Sequence, residues 1–459
     1  MTTPERAAAE TGRVRAPARE IFGWSMFDFA NSSYTTVIIT VVYATVFPKL
    51  IVGDERLGNL LWSATLSASY ALVVLTAPLF GAIMDFSGSK KRFLMASWLL
   101  TVVATAALGI AGPGQVALAM VLLLISNFGF ASGESFASSF LPDLGPPEAL
   151  GRISGMAWGL GYFGGLLSTA AVLFGLGPAT AENLDGVRLI GPVTAFFFFV
   201  GALPTFLLLR ERGIPQPLPA GATYVSIGLA RIRQSTRDVR AFRDLLVFLG
   251  SLFFSQAGLS IVIAFAFIYG DQVIRWAPQT MMMMFVITQL TAAVGAFLFG
   301  FIQDRIGARN AYGVTMVLWI VAAVLIYATP QLTVAINAAL GTSVLAEHVF
   351  LGVGALAGTG LGAAQSSGRA LVGLFAPPQK SGEIFGLWGV MGKLAAIFGL
   401  LGLGVLQSVL GLQTAILFCA VLFAAALVVV WFVDEARGRE VARTWVDSPP
   451  VDTQAAEPA

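Results

Sequence analysis

Twelve apolar runs, separated by short polar or charged breaks, make up most of this chain of 459 residues. They occupy residues 22–47, 60–84, 93–111, 115–140, 153–176, 189–209, 244–269, 279–301, 311–329, 347–374, 383–406 and 412–433. Each is long enough to cross about 30 Å of hydrocarbon as an α-helix rising about 1.5 Å per residue. A membrane barrel would instead alternate apolar and polar residues in strands of about ten, and the runs do not alternate. The pattern therefore predicts an all-α membrane protein with twelve transmembrane helices. Composition agrees, with 57% hydrophobic residues, 11% charged and a mean hydropathy of +0.81, where soluble domains carry about 25% charged residues.

Charge placement gives an orientation. With both termini in the cytoplasm, all but six of the 27 Lys and Arg fall in cytoplasmic segments. Lys49, Arg56, Arg188 and Arg275 fall outside, and Arg369 and Lys393 lie within spans. This is the positive-inside bias expected for an even number of helices. The segment from Met1 to Glu20 lacks the apolar core of a cleavable signal. We therefore expect a multi-pass protein of the plasma (inner) membrane. The single cysteine, Cys419, excludes an internal disulfide and a cysteine-based metal site. The single histidine, His348, falls near the outer end of the tenth span, where a solvated role suffices.

Internal repetition divides the chain in two. "GAIMDFSGSKK" (Gly81–Lys91) and "GFIQDRIGARN" (Gly300–Asn310) share G-x-x-x-D-x-x-G-x-[K/R] between spans two and three and between spans eight and nine. "PPEALGRISGMAWGLG" from Pro146 likewise matches "PPQKSGEIFGLWGVMG" from Pro377 as PP-x3-G-x-I-x-G-x5-G. These copies predict two pseudo-symmetric six-helix bundles, residues 22–210 and 244–433, related by an axis along the membrane normal. A cytoplasmic tail (1–21), a hydrophilic linker (211–243) and a second tail (434–459) complete the chain. Within the linker, "ARIRQSTRDVRAFRDLL" is basic and compatible with an amphipathic helix. It suits the anionic cytoplasmic leaflet, and equally a solvated connector.

The paired G-x-x-x-D-x-x-G-x-[K/R] loops resemble the cytoplasmic signature of the major facilitator superfamily, which implies the major facilitator fold. By that resemblance Gly81, Asp85, Gly88, Lys90, Gly300, Asp304, Arg305, Gly307 and Arg309 are gating residues. Their glycines allow tight helix packing, and their aspartates meet basic residues and helix ends in the outward-facing state. Phe86 stands where the second copy has Arg305, which implies a weaker first latch. "GWSMFDFANSSY", "FLPDLGPPEALGRISGMAWGLGYFGG" and "PPQKSGEIFGLWGVMGKLAAIFG" resemble the vacuole-effluxer, or "unknown major facilitator", branch. That branch includes a fungal vacuolar exporter of amino acids.

Candidate chemistry lies in the charges within spans, where a charge at a helix centre costs about 2.5–3.5 kcal/mol on insertion scales. Asp28 and Glu134 lie in the first half, Arg369 and Lys393 in the second. They should face water, one another or a ligand. A structural ion pair competes with a substrate or coupling role for each. Lys393 lies near the middle of its span, where facilitator substrates bind. Asp28, Asn31 or Ser32, and Thr35 share one face of the first helix, and Tyr34 projects about 60° from Asn31 and flanks the same expected cavity. Tyr162 is the repeat equivalent of Lys393. Gln256, Gln289 and Gln365 supply amides suited to a polar ligand or to interhelical bonds. "GMAWGLGYFGG" (Gly155–Gly165) is dense in glycine for close packing. "FFFF" at Phe196 and "MMMM" at Met281 suit lipid-facing or packing surface.

No G-x-x-x-x-G-K-[ST] loop is present, so the energy for transport is expected from a gradient. Protonation of Asp28 or Glu134 is the natural coupling step, because burial in apolar surroundings favours a neutral carboxyl. No nucleophile–histidine, metal or paired-acid constellation points to an enzyme, and no cofactor or nucleic acid is implied. The expected protein is a monomeric secondary transporter working by alternating access. Its partners are a small polar or zwitterionic solute (by resemblance an amino acid), a proton or other ion, and the lipid bilayer. Export of hydrophobic or amphipathic compounds and a non-transporting sensor on the same scaffold are the alternatives.

Overall fold

A computed structural model of the chain describes residues 15–445, apart from 178, 220 and 239–241. The expected tails therefore lie outside the described residues over 1–14 and 446–459. Among the described residues, twelve helices are long and apolar enough to cross a membrane. They are α1 (Ala18–Val52), α2 (Leu57–Ser87), α3 (Lys90–Ile110), α4 (Val116–Asp143), α5 (Pro147–Gly175) and α6 (Ala181–Leu208), then α7 (Arg243–Ile274), α8 (Gln279–Ile306), α9 (Ala308–Leu340), α10 (Ala346–Phe375), α11 (Pro378–Leu410) and α12 (Leu412–Val430). Each contains most of one apolar run. The largest extension is in α9, which continues through Pro330 because its flanking turns remain apolar. In α1 the polar start gives way to π-helical turns at Tyr34–Val41 and Phe47–Val52.

Packing reproduces the repeat. In the first bundle α1 packs on α5 and α6, α3 on α4 and α6, and α2 on α4. In the second, α7 packs on α11 and α12, α9 on α10 and α12, and α8 on α10. Adding six to each label converts one set into the other. The interface between bundles obeys the same symmetry: α2 meets α11 as α8 meets α5, and α4 meets α11 as α10 meets α5.

Glycine makes the closest approaches possible. A Cβ on Gly164 of α5 would run into the Phe29 carbonyl of α1, and one on Gly362 of α10 into the Ala292 carbonyl of α8. In lipid, helix association rests on such close packing because there is no water to expel between helices. Phe196 and Met281–Met283 are exposed where lipid would lie, while Met284 is buried against Gly354.

With an even number of spans, both ends of the described chain lie on one side, the terminal side. Two shorter helices pack there. The linker helix (Tyr224–Asp238) lies on α2. A second helix (Glu435–Thr444) forms within what the sequence presented as a tail. The Asp434 side chain caps its first turn, and Arg437 reaches back to Asp244 of α7 at 2.6 Å. Its Gly438 sits on the Phe375 ring at the end of α10. The segment folds because these contacts give a short charged sequence a surface to pack on.

Candidate functional site

The four intramembrane charges form two pairs, each joining one bundle to the other. Arg369 of α10 lies 2.6 Å from Asp28 of α1 and is 1% exposed. Its Nε donates to Ser154 Oγ and its Nη2 to the Ser154 carbonyl, both at 3.2 Å. The guanidinium also lies 4.9 Å from the Trp24 ring centre and 5.1 Å from that of Trp158. All these partners belong to α1 and α5. Arg369 is thus a second-bundle cation seated in a socket of the first bundle. A planar guanidinium suits this socket, since it bonds at its edge and stacks on aromatic faces.

The other pair is looser and wetter. Lys393 of α11 lies 3.8 Å from Glu134 of α4, with side chains 17% and 28% exposed. Its ammonium lies 4.9 Å from the Tyr70 ring centre of α2. Both charges line a cavity of about 180 Å³ together with Tyr70, Gln256, Ser260 and Trp388. A smaller cavity of about 50 Å³ adjoins it and shares Glu134, Gln256 and Trp388. Gln365, Arg369 and Trp158 line this smaller lobe. Lys393 sits 15 residues into α11 from its start at Pro378, about 22 Å along the helix, consistent with the expected midplane depth. The pair keeps separable charges of opposite sign facing open space, where a zwitterion or a water can come between them.

The expected residues divide accordingly. Glu134, Gln256, Gln365, Arg369 and Lys393 line the two lobes. Asp28 borders them only through Arg369, and Tyr162 stands behind Gln365, its hydroxyl 3.4 Å from Oε1. Asn31 is buried, and its Oδ1 has no hydrogen-bond partner among the described residues. Gln289 lies across from Gly165, outside both lobes. Tyr34 lines neither of these two lobes. Its hydroxyl shares a hydrogen bond with Ser126 at 2.8 Å and its ring stacks on Phe130. The rotation that separates it from Asn31 turns it into α4. The sequence reading missed Tyr70, Trp388, Trp24 and Ser154. Trp24 lies one turn before Asp28, on the face that Asp28 defines, and that spacing was the available signal.

Nearer the terminal side, the two signature aspartates bond the starts of helices in the opposite bundle. Asp85 accepts backbone N–H groups of Gly382 at 2.9 Å and Glu383 at 3.0 Å, at the first turn of α11. Asp304 accepts from Arg152 Nε at 2.6 Å and meets the backbone amides of Gly151 and Arg152 at the start of α5. Gly382 and Gly151 are repeat equivalents, so the two aspartates approach matching positions of the opposite bundle. A carboxylate is well placed at a helix start, where amides are unsatisfied and the dipole is positive. Gly81 and Gly300 allow these approaches, facing Gly382 and Gly151. Gly88 and Gly307 have positive φ, +59° and +86°, which glycine adopts without penalty.

The basic positions of the signature act within their own bundles. Lys90 pairs with Asp143 at 2.8 Å. Arg309 donates from its backbone to Glu435 and from its guanidinium to the Trp431 carbonyl. Arg305 is exposed. The expected weakness of the first latch does not match this geometry. Asp85 is buried and makes both amide bonds, while Phe86 packs against Tyr224 of the linker helix.

Paired bundles, cross-bundle charges around a central cavity, and two matched cross-bundle aspartate contacts define a transporter of the major facilitator fold. Among solved structures, the human organic anion transporter MFSD10 (TETRAN) superposes with a TM-score of 0.67 at 17% identity, covering 90% of this chain and 100% of that one. The proton:xylose symporter XylE gives 0.70 at 13% identity, covering 93% and 97%. The family model for vacuole effluxer Atg22-like proteins matches residues 60–443, and the chain belongs to that family. An uncharacterized MFS-type transporter, YxiO of Bacillus subtilis, is 24% identical over 93% of this chain and 97% of its own length. Autophagy-related protein 22-1 of Aspergillus niger is 24% identical over 63% of this chain. The chain spans about half the length of that fungal relative, 48%. MFSD10 and XylE are transport proteins, and YxiO is described as an MFS-type transporter.

Proposed function

We propose that the chain is a secondary active transporter that moves a small polar or zwitterionic solute, best read as an amino acid, by alternating access. The observation that carries this reading is the Lys393–Glu134 pair, loosely held at 3.8 Å across the bundle interface and facing a cavity of about 180 Å³. A carboxylate on the solute meets Lys393 and its ammonium meets Glu134. Gln256 and Gln365 complete the polar lining. The Asp85 and Asp304 latches favour the state closed on the terminal side, which the positive-inside bias assigns to the cytoplasm of a cell bounded by the plasma (inner) membrane.

Opening that side withdraws Arg369 from Asp28. Proton uptake by Asp28 is the coupling step we assign to this withdrawal, because separation leaves a carboxylate in apolar surroundings. The single chain holds both bundles and both lobes, which fits a working monomer. Two opposed charges in the cavity disfavour the reading as an exporter of hydrophobic compounds.

The test is uptake into proteoliposomes across an amino-acid panel, with and without an imposed pH gradient. Accumulation of one or more amino acids that depends on the gradient is the expected result. Uptake confined to amphipathic compounds, or none across the panel, contradicts the solute assignment. Equal accumulation with and without the gradient contradicts proton coupling alone.

A further inference from the structure

The connection between the bundles carries a surface that transport leaves unused. After α6 the chain is pinned to the first bundle: Arg212 pairs with Glu20, and Gln216 N–H donates to the Phe86 carbonyl at 3.0 Å. It then forms the linker helix on α2. Gly228 sits against Leu79 and Ile83. Tyr224 meets Phe86 edge-on at 6.3 Å between ring centres, and the Arg231 guanidinium lies over the same ring at 5.6 Å.

The seat faces lipid. Tyr70 lines the solute cavity, and Leu79 lies nine residues later, about 180° away around the helix. Leu72 and Leu75, toward Leu79's side of α2, are exposed and face hydrocarbon in a membrane. Leu79 continues that face toward the terminal side, so the linker helix lies where the lipid face of α2 reaches the headgroups. There it turns Val225 and Leu229 outward, at 52% and 56% exposure. Its sequence adds Arg231, Arg233 and Arg237 against one acid, Asp238. An exposed apolar pair on a helix rich in arginine suits the boundary between headgroups and acyl chains.

We propose that the linker helix seats in the anionic headgroup layer of the terminal-side leaflet and, through Phe86, ties that leaflet to the Asp85 latch. Phe86 adjoins Asp85 in sequence and carries the helix on its ring, so lipid that holds the helix down also holds the end of α2 against α11. Anionic surface attraction gives roughly a fivefold preference per arginine near the surface and falls off within a Debye length. The inference is independent of which solute is carried.

Cys419 is the only cysteine and is buried, so Leu229→Cys introduces a single reactive position for an environment-sensitive fluorophore. The labelled full chain is placed in nanodiscs of phosphatidylcholine, alone or mixed with phosphatidylglycerol. Quenching by headgroup-level spin-labelled lipid should rise several-fold in the anionic discs. High salt, or Arg233→Gln with Arg237→Gln, should remove most of that rise. Equal quenching by aqueous iodide in both discs assigns a solvated connector and overturns the proposal. So does lipid quenching indifferent to lipid charge. A signal that follows protein concentration instead of lipid charge assigns the face to a second copy and likewise overturns the proposal. For the tie to the latch, spin labels at Arg92 and Arg305 should show a larger closed population in anionic discs, and an equal population in both refutes it.

Discussion

Removing the carboxylate from Asp28 tests how firmly the bundles are joined inside the membrane. In Asp28→Asn the Arg369 guanidinium stays buried, held by Ser154 and two indole faces but without its counter-charge. Removing one partner of a buried ion pair costs about 3–5 kcal/mol. The two cation–π contacts retain about 0.5–2 kcal/mol each, which puts the expected loss near the lower end of that range. Arg369→Gln strands the carboxylate and should cost a similar amount. In the double variant neither charge remains, and replacing a buried pair with neutral groups is often close to neutral. The double-mutant cycle should therefore show a coupling close to the sum of the two single costs, about 6 kcal/mol. Equilibrium unfolding by SDS in mixed micelles measures all four proteins. Costs that add to within about 0.5 kcal/mol would show that the pair does not act as a unit, and the socket description would fail.

Asp85→Asn should weaken the latch on α11 by about 0.3–2 kcal/mol, the range for a charge at a helix start. Spin labels at Arg92 and Arg305 should then report a larger open population on the terminal side, and an unchanged distance distribution counts against the latch. Lys393→Ala and Glu134→Gln should each lower transport at least tenfold while the purified proteins stay folded by circular dichroism; full activity in both removes the solute site from this cavity. Gly362→Leu places a side chain on the Ala292 carbonyl and should abolish accumulation of folded protein, whereas Gly352→Ala, with nothing near its missing Cβ, should fold normally. Wild-type yield from the leucine variant contradicts the close packing of α8 and α10.

The number of helices and the division into bundles were legible because lipid imposes one rule on every segment: backbone groups must be satisfied internally. The cross-bundle contacts of Asp85 and Asp304 were legible because a repeated loop carries its aspartate at fixed spacing, and repeat-equivalent glycines mark where each one lands. Pairing among the charges was not legible. Asp28 and Glu134 each have two basic candidates, and only the crossing of α1 with α10 and of α4 with α11 decides between them. Tyr34 was misplaced because a small rotation on α1 separates the cavity from α4. Phe86, which looked like a defect in the first signature, became intelligible once the linker helix was seen resting on its ring.

The proposed function places the solute between Lys393 and Glu134. The most direct measurement is equilibrium binding of the transported solute to purified wild type, Lys393→Met and Glu134→Gln, read as thermal stabilisation at matched solute concentration. A solute at one hundred times its Kd should stabilise the wild type by about 2.7 kcal/mol, and each variant should lose most of that gain. Equal stabilisation of all three proteins would place the solute elsewhere and contradict the account.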